Sequence, residues 1–269
     1  MNNFVTRVIT ATIFGALCLA GIYFNGAIHL LFLLFSVLAL KEFYGLIFVD
    51  KKPNSIGLAY ITGILFFILN TLVLYASLPL KYLSLAIVPL LLLFINELYQ
   101  LEEFPFSSLA KKILGIVYVI VPFSLFCALG YLTNNGYHYE FPLGFILFLW
   151  ASDSGGYLLG ITIGKHRLFE RVSPKKSWEG LAGSILLSLC TAYFFARFFP
   201  ETPANIWYTM AILVVIFGTL GDLVESLFKR SINIKDSGSI LPGHGGVLDR
   251  FDGLFMAAPI VYTYLLLFL

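Results

Sequence analysis

Residues 56–75 read IGLAYITGILFFILNTLVLY, twenty consecutive positions without a charge. Wound as an α-helix, such a stretch spans about 30 Å, the thickness of a bilayer's hydrocarbon core. Its apolar residues fall on every face, without the period-two alternation of a barrel strand. Working outward, eight further stretches read the same way, at approximately 8–24, 27–47, 78–96, 112–131, 141–163, 179–199, 206–227 and 251–269. The expected fold is an all-α, polytopic membrane bundle of about nine transmembrane helices. Composition agrees: hydrophobic residues make up 59% and charged residues 12%, the latter about half the share usual in soluble proteins. A soluble chain this apolar would leave large hydrophobic patches in water. The run after Arg7 is long for a signal peptide and no small-x-small cleavage site follows it, so span one is expected to be retained.

Nine spans alternate the loops between two faces. All but two of the 17 lysines and arginines then fall on one face, leaving Lys81 and Arg197 on the other. The positive-inside rule makes the basic face cytosolic and predicts a cytosolic N-terminus. The expected location is a bacterial-type inner (cytoplasmic) membrane. The net charge of +2 is uninformative by itself. Cys18, Cys127 and Cys190 lie inside apolar spans without ligand-like spacing and read as small core residues.

The chain divides by character. Residues 1–110 are simple apolar spans with short loops, in which Glu97, Glu102 and Glu103, ahead of Lys111 and Lys112, read as a solvated surface segment. Residues 111–269 form the expected catalytic transmembrane region with cytosolic loops. No soluble domain, low-complexity tract or internal repeat is visible, and the last point weighs against transporter folds built from repeated halves.

Ionisable residues within or at the ends of spans are functional candidates. In span eight, Asp222, Glu225, Ser226, Lys229 and Arg230 share one helical face, carboxylates deeper and cations at the mouth. A structural Glu225–Lys229 pair would account for two of them but not for Asp222. Lys235-Asp236-Ser237-Gly238 and then Pro242-Gly243-His244-Gly245-Gly246 lead into Val247-Leu248-Asp249-Arg250-Phe251-Asp252-Gly253. Proline and clustered glycines make this a loop, whose glycines could let backbone N–H groups approach phosphate oxygens. Asp249 and Asp252 are expected three residues apart on the first turn of span nine. Carboxylates from different helices, with phosphate oxygens and water, suit Mg²⁺. In span six, Trp150, Asp153, Ser154 and Tyr157 form a stripe, with Asp153 inside an apolar run. Ahead of span seven, Ser173-Pro174-Lys175-Lys176-Ser177-Trp178-Glu179-Gly180 places a capping serine, a first-turn Glu179 and two lysines able to clamp phosphates.

A cytosolic cavity with several carboxylates, several cations and glycine-lined backbone suits phosphoryl or nucleotidyl transfer, where catalysis is mostly positioning and charge neutralisation. Only His244 among the four histidines is placed for the site, as a donor to phosphate. A phosphate monoester is already an anionic nucleophile, so the shortage of bases fits such a substrate better than an alcohol.

Ser226-Leu227-Phe228-Lys229-Arg230, Lys235-Asp236-Ser237-Gly238 and residues 242–252 together closely resemble the signature of the phosphatidate cytidylyltransferases, or CDP-diglyceride synthases. The segments 153–157 and 173–180 also look like motifs of that family. The resemblance covers roughly residues 149–253. It implies the reaction of CTP with phosphatidate to give CDP-diacylglycerol and pyrophosphate, in phospholipid biosynthesis. It further implies Mg²⁺ held by Asp222 and Asp249, room for a second cation such as K⁺, homodimers, and no nucleic-acid partner. On that reading Lys229, Arg230, Lys235 and Arg250 bind phosphates, with Lys175 and Lys176 at the cavity rim. Asp153, Glu179, Asp236 and Asp252 make supporting or cation contacts, and Ser173, Ser226, His244, Gly245 and Gly246 complete the substrate contacts. Two positions depart from the family pattern: Gly156, where alanine is expected, and Ile161, where a basic residue is common. The alternatives are another CTP-using lipid enzyme, such as a polyprenol kinase or an archaeol-type cytidylyltransferase, and an ion or phosphate-ester transporter. A transporter would spread its charges through the membrane depth, whereas here they cluster at one side.

Overall fold

The computed structural model describes residues 3–48, 53, 55–100, 104–133, 136–238, 240 and 245–269, with side chains from residue 8 onward. His244, Gly243, Lys51, Lys52, Glu102 and Glu103 lie outside the described residues. Each expected span coincides with a helix: α1 Asn3–Tyr23, α2 Asn25–Ile47, α3 Ile56–Tyr75, α4 Leu80–Glu97, α5 Pro105–Tyr131, α6 Glu140–Ile163, α7 Trp178–Phe198, α8 Ala204–Ser231 and α9 Asp252–Phe268. Among the described residues, α2 to α8 are long and apolar enough to cross a membrane, while α9 and the Val8–Tyr23 part of α1 are shorter apolar helices. The protein is a multi-pass membrane protein. α5 starts earlier than expected because Pro105 sits in its first turn, where its missing N–H costs nothing. α8 runs to Ser231 because Lys229 and Arg230 in its last turn suit the negative end of the helix dipole.

One element departs from the all-helical expectation. β1 (Arg167–Phe169) and β2 (Ser173–Ser177) form an antiparallel hairpin between α6 and α7, pairing Arg167 with Ser177 and Phe169 with Ser173.

The chain packs as two compact units, Met1–Tyr131 with Ser237–Arg250, and Leu132–Asp236 with Phe251–Leu269. In the first, aromatic side chains of α2 and α5 make the core, with the Phe32 and Phe126 ring centroids 4.6 Å apart. Glu97 and Lys112, expected in a solvated segment, are instead buried as an ion pair at 2.5 Å. The Lys112 ammonium also donates to Ser55 Oγ at 2.5 Å, and Tyr44 donates its hydroxyl proton to the Lys112 carbonyl at 2.6 Å. The physical reason is mutual neutralisation: the Lys112 ammonium and the Glu97 carboxylate are each other's counter-ion inside the bundle, which offsets the cost of burying either charge alone.

In the second unit, α6 and α7 meet through small residues. A β-carbon on Gly155 would collide with the Gly183 carbonyl, and one on Gly183 would lie 2.5 Å from the Gly155 carbonyl oxygen. Ser184 donates to the Ser152 carbonyl at 2.6 Å and Ser188 to that of Phe148 at 2.9 Å. This is how helices associate in lipid, by close backbone approach and short interhelical hydrogen bonds. Gly156, the first departure from the family pattern, belongs to the same seam: a β-carbon there would come 2.6 Å from Ser184 Oγ. Trp207 of α8 stacks on Phe141 of α6 with centroids 5.3 Å apart. Cys18 and Cys127 are buried as expected, whereas Cys190 is exposed on α7, because the contacts of α7 run along its glycine and serine face.

Candidate active site

The second unit holds a cavity of about 410 Å³, within the range of small-molecule sites. Asp153 from α6, Lys175 and Lys176 from β2, Asp222 from α8 and Asp252 at the start of α9 all line it. Five residues singled out from the sequence therefore meet around one space.

The lysines arrive there because the hairpin is fastened to the start of α7. Ser177 caps that helix by accepting from the Gly180 N–H at 3.1 Å. Glu179, in the first turn, accepts from the Lys165 N–H at 3.1 Å and from His166 Nδ1 at 2.6 Å. Glu179 is thus a fastening for the hairpin and does not line the cavity; Ser173 opens β2. Lys176 reaches Asp222, Nζ to Oδ2 at 2.5 Å, and Ser226 donates to Asp222 Oδ1 at 3.1 Å. Asp252 interacts electrostatically with Asp222, Glu225 and Asp153. α8 and α9 come close enough for this because Gly221 lies against the Asp252 carbonyl, where any β-carbon would collide. Ile161, the second departure from the family pattern, lines the same cavity with an apolar side chain.

Other predicted residues sit apart from the cavity lining. Lys229, expected to bind phosphate, is paired with the buried Glu225 at 2.6 Å, the i, i+4 pair that was the structural alternative for these two residues. Arg230 donates to the Ile234 carbonyl at 3.1 Å beyond the end of α8. Lys235, Asp236 and Arg250 are exposed.

The glycine-rich loop belongs to the first unit. Asp249 is not on the first turn of α9 as expected: it lies in a separate 3₁₀ turn, Leu248–Arg250, while Asp252 begins the helix. The loop's own backbone holds it there, because Asp249 Oδ2 accepts from the N–H groups of Ser237 and Gly246, both at 2.9 Å. Gly245 adopts φ +81°, and a β-carbon on it would lie 2.7 Å from Asp249 Oδ2. Glu42 of α2, which the sequence reading passed over, accepts from the Leu248 N–H at 2.8 Å. Its signal was a carboxylate one residue inside Lys41, within an apolar span.

The described residues contain no group of three or more His, Cys, Asp or Glu arranged to hold a metal ion. Mg²⁺ does not need one, since it keeps several waters and takes one or two carboxylates together with substrate phosphates. Hard carboxylate oxygens beside two lysines in a cavity of this size fit a magnesium ion that enters with a polyphosphate.

A sequence profile of the cytidylyltransferase family matches residues 5–268. The phosphatidate cytidylyltransferase of Bacillus subtilis (strain 168) is 32% identical over 276 residues, covering 99% of this chain and 98% of that protein. Those of Staphylococcus haemolyticus and Haemophilus influenzae are both 40% identical over 61% of this chain, spanning 62% and 56% of their own lengths. With a match that runs almost from end to end and a full-length relative, this chain belongs to the cytidylyltransferase family.

Proposed function

We propose that the protein is a phosphatidate cytidylyltransferase, converting CTP and phosphatidate to CDP-diacylglycerol and pyrophosphate for phospholipid synthesis. The observation that carries this reading is the cavity where Lys175 and Lys176 face Asp153, Asp222 and Asp252, in a chain whose named relatives carry that activity. A phosphate oxygen of phosphatidate attacks the α-phosphorus of CTP in line, and the bond from that phosphorus to the bridging oxygen of the β-phosphate breaks. The electron pair leaves with pyrophosphate. The nucleophile is already an anion, so no group in the cavity has to remove a proton, in keeping with a lining of carboxylates and lysines.

Lys175 and Lys176 bind and orient the triphosphate and offset the charge that grows on the departing pyrophosphate. Ser226 orients the Asp222 carboxylate, and Asp252 and Asp153 set the local potential. We assign Mg²⁺ to Asp222 and Asp249 on the strength of the family motifs they belong to, with a second cation such as K⁺ beside it. When bound, the ion neutralises triphosphate charge and makes pyrophosphate a better leaving group. Lys229, Arg230, Lys235 and Arg250 belong to the same proposal as phosphate contacts at the mouth. The reading extends to a bacterial inner membrane, a cytosolic active site and a homodimer.

Radiolabelled CTP tests the reaction. The label should enter a chloroform-soluble product only when phosphatidate and Mg²⁺ are both supplied. With CTP labelled at the α-phosphate, no label in any lipid would overturn the assignment, as would transfer of a γ-phosphate label to a polyprenol. Sidedness is checked by a single Lys235→Cys variant in a cysteine-free background, which should react with a membrane-impermeant maleimide only in inverted vesicles.

A further inference from the structure

Asp249 sits among residues 245–250, whose backbone at Leu248 is held by a residue of α2 some two hundred positions earlier in the chain. Glu42 lies on α2 and is 8% exposed. Burying a carboxylate in a membrane helix is costly unless donors are aimed at it. The donors here are backbone groups of the glycine-rich loop. Glu42 Oε2 accepts from the Leu248 N–H at 2.8 Å, and the backbone of Val247 and the hydroxyl of Ser237 lie beside the same carboxylate.

The glycines record how close this approach is. A β-carbon on Gly238 would fall 2.6 Å from Glu42 Oε1, and one on Gly246 would collide with Glu42 Oε2 and Ser237 Oγ. Glycine at 238 and 246 therefore makes room for the Glu42 carboxylate, while glycine at 245 makes room for that of Asp249. Two carboxylates, one inside the loop and one from α2, divide the loop's donors between them. Asp249 takes the N–H groups of Ser237 and Gly246, and Glu42 takes that of Leu248, the residue before Asp249.

We propose that Glu42 is a positioning residue for nucleotidyl transfer: it fixes the 3₁₀ turn Leu248–Arg250, and with it the Asp249 carboxylate, without touching substrate. The inference rests on the cytidylyltransferase reading for its catalytic consequence, and on the Glu42 contacts alone for its structural one.

The test pairs kinetics with amide exchange in detergent-solubilised full-length protein. Glu42→Ala should lower kcat by roughly 10–100-fold, the range typical of groups that orient a ligand from behind, with KM for CTP changed little. Glu42→Gln keeps the volume and one acceptor oxygen, so it should fall between Glu42→Ala and the parent. Exchange at the Leu248 amide should rise in Glu42→Ala while α5 and α7 stay protected. Gly238→Ala should be as damaging as Glu42→Ala, and the double variant no worse than Glu42→Ala alone, because the three atoms nearest the added methyl all belong to Glu42. Parent-like kcat with an unchanged Leu248 amide in Glu42→Ala would overturn the proposal. So would fully additive losses in the double variant, or a uniform rise in exchange across all helices in Glu42→Gln. A parent protein that makes no CDP-diacylglycerol would sink the activity reading, while the exchange arm would still decide whether Glu42 holds the loop.

Discussion

Lys176 Nζ stands 2.5 Å from Asp222 Oδ2, joining a lysine of the hairpin to a carboxylate of α8 across the floor of the cavity. The pair is partly solvated, so its attraction is screened and does little for stability. On the proposed function its value is to hold an ammonium group for the phosphate oxygens of CTP. Lys176→Ala is expected to lower kcat/KM for CTP by about 10-fold or more, in line with the loss of a hydrogen bond to a charged group. Lys175→Ala should cost less, since Lys175 lines the cavity and, among the described residues, no carboxylate pairs with it as Asp222 does with Lys176. Steady-state kinetics with CTP varied would check the order; equal losses would remove the distinction between the two lysines.

Asp222 has a second tie, to Ser226 at 3.1 Å. Asp222→Asn keeps the shape and the hydrogen bond but removes the charge. It should abolish turnover while leaving membrane insertion and the monodisperse peak in detergent intact. Near-parental activity in that variant would sink the metal assignment to Asp222.

Gly155 and Gly183 oppose each other without room for a methyl group. Gly183→Ala therefore forces α6 and α7 apart and should destabilise the protein by about 1–3 kcal/mol, the usual range for overpacking. Gly26→Ala and Gly57→Ala are the controls, because nothing lies within 4 Å of a β-carbon at either position. Thermal melting in detergent should shift down for Gly183→Ala and stay put for the controls.

Lys112 and Glu97 form a fully enclosed pair. Removing one partner strands a buried charge, so Lys112→Met or Glu97→Leu alone should cost about 3–5 kcal/mol. The double variant should recover most of that loss. Denaturation of the three variants in one detergent closes the cycle, and additive losses would show that the two groups act independently.

The helices were legible because twenty-residue apolar runs leave the chain few alternatives in a bilayer. The shared face of Asp222, Glu225, Ser226 and Lys229 followed from helical spacing, and the Ser177 cap from local chemistry. What stayed hidden depends on partners distant in sequence. The spacing around Glu97 and Lys112 looks like a surface charge run, and only packing against Ser55 reveals a buried pair. The glycines at 238, 245 and 246 suggested phosphate approach, yet in the folded chain their space is taken by Glu42 and Asp249. The hairpin at 167–177 is short and polar, with no period-two apolar pattern to betray it.

The fastening of that hairpin has a thermodynamic consequence. A lysine-bearing loop that samples many shapes must surrender its conformational entropy when it closes on an anion, at about 1–2 kcal/mol for each residue ordered. Here Glu179 holds Lys165 and His166, the strands hold Ser173 to Ser177, and Ser177 ties the end into α7. That ordering is completed during folding. On the proposed function, a triphosphate would meet Lys175 and Lys176 already arranged, and more of its binding energy would remain available as affinity.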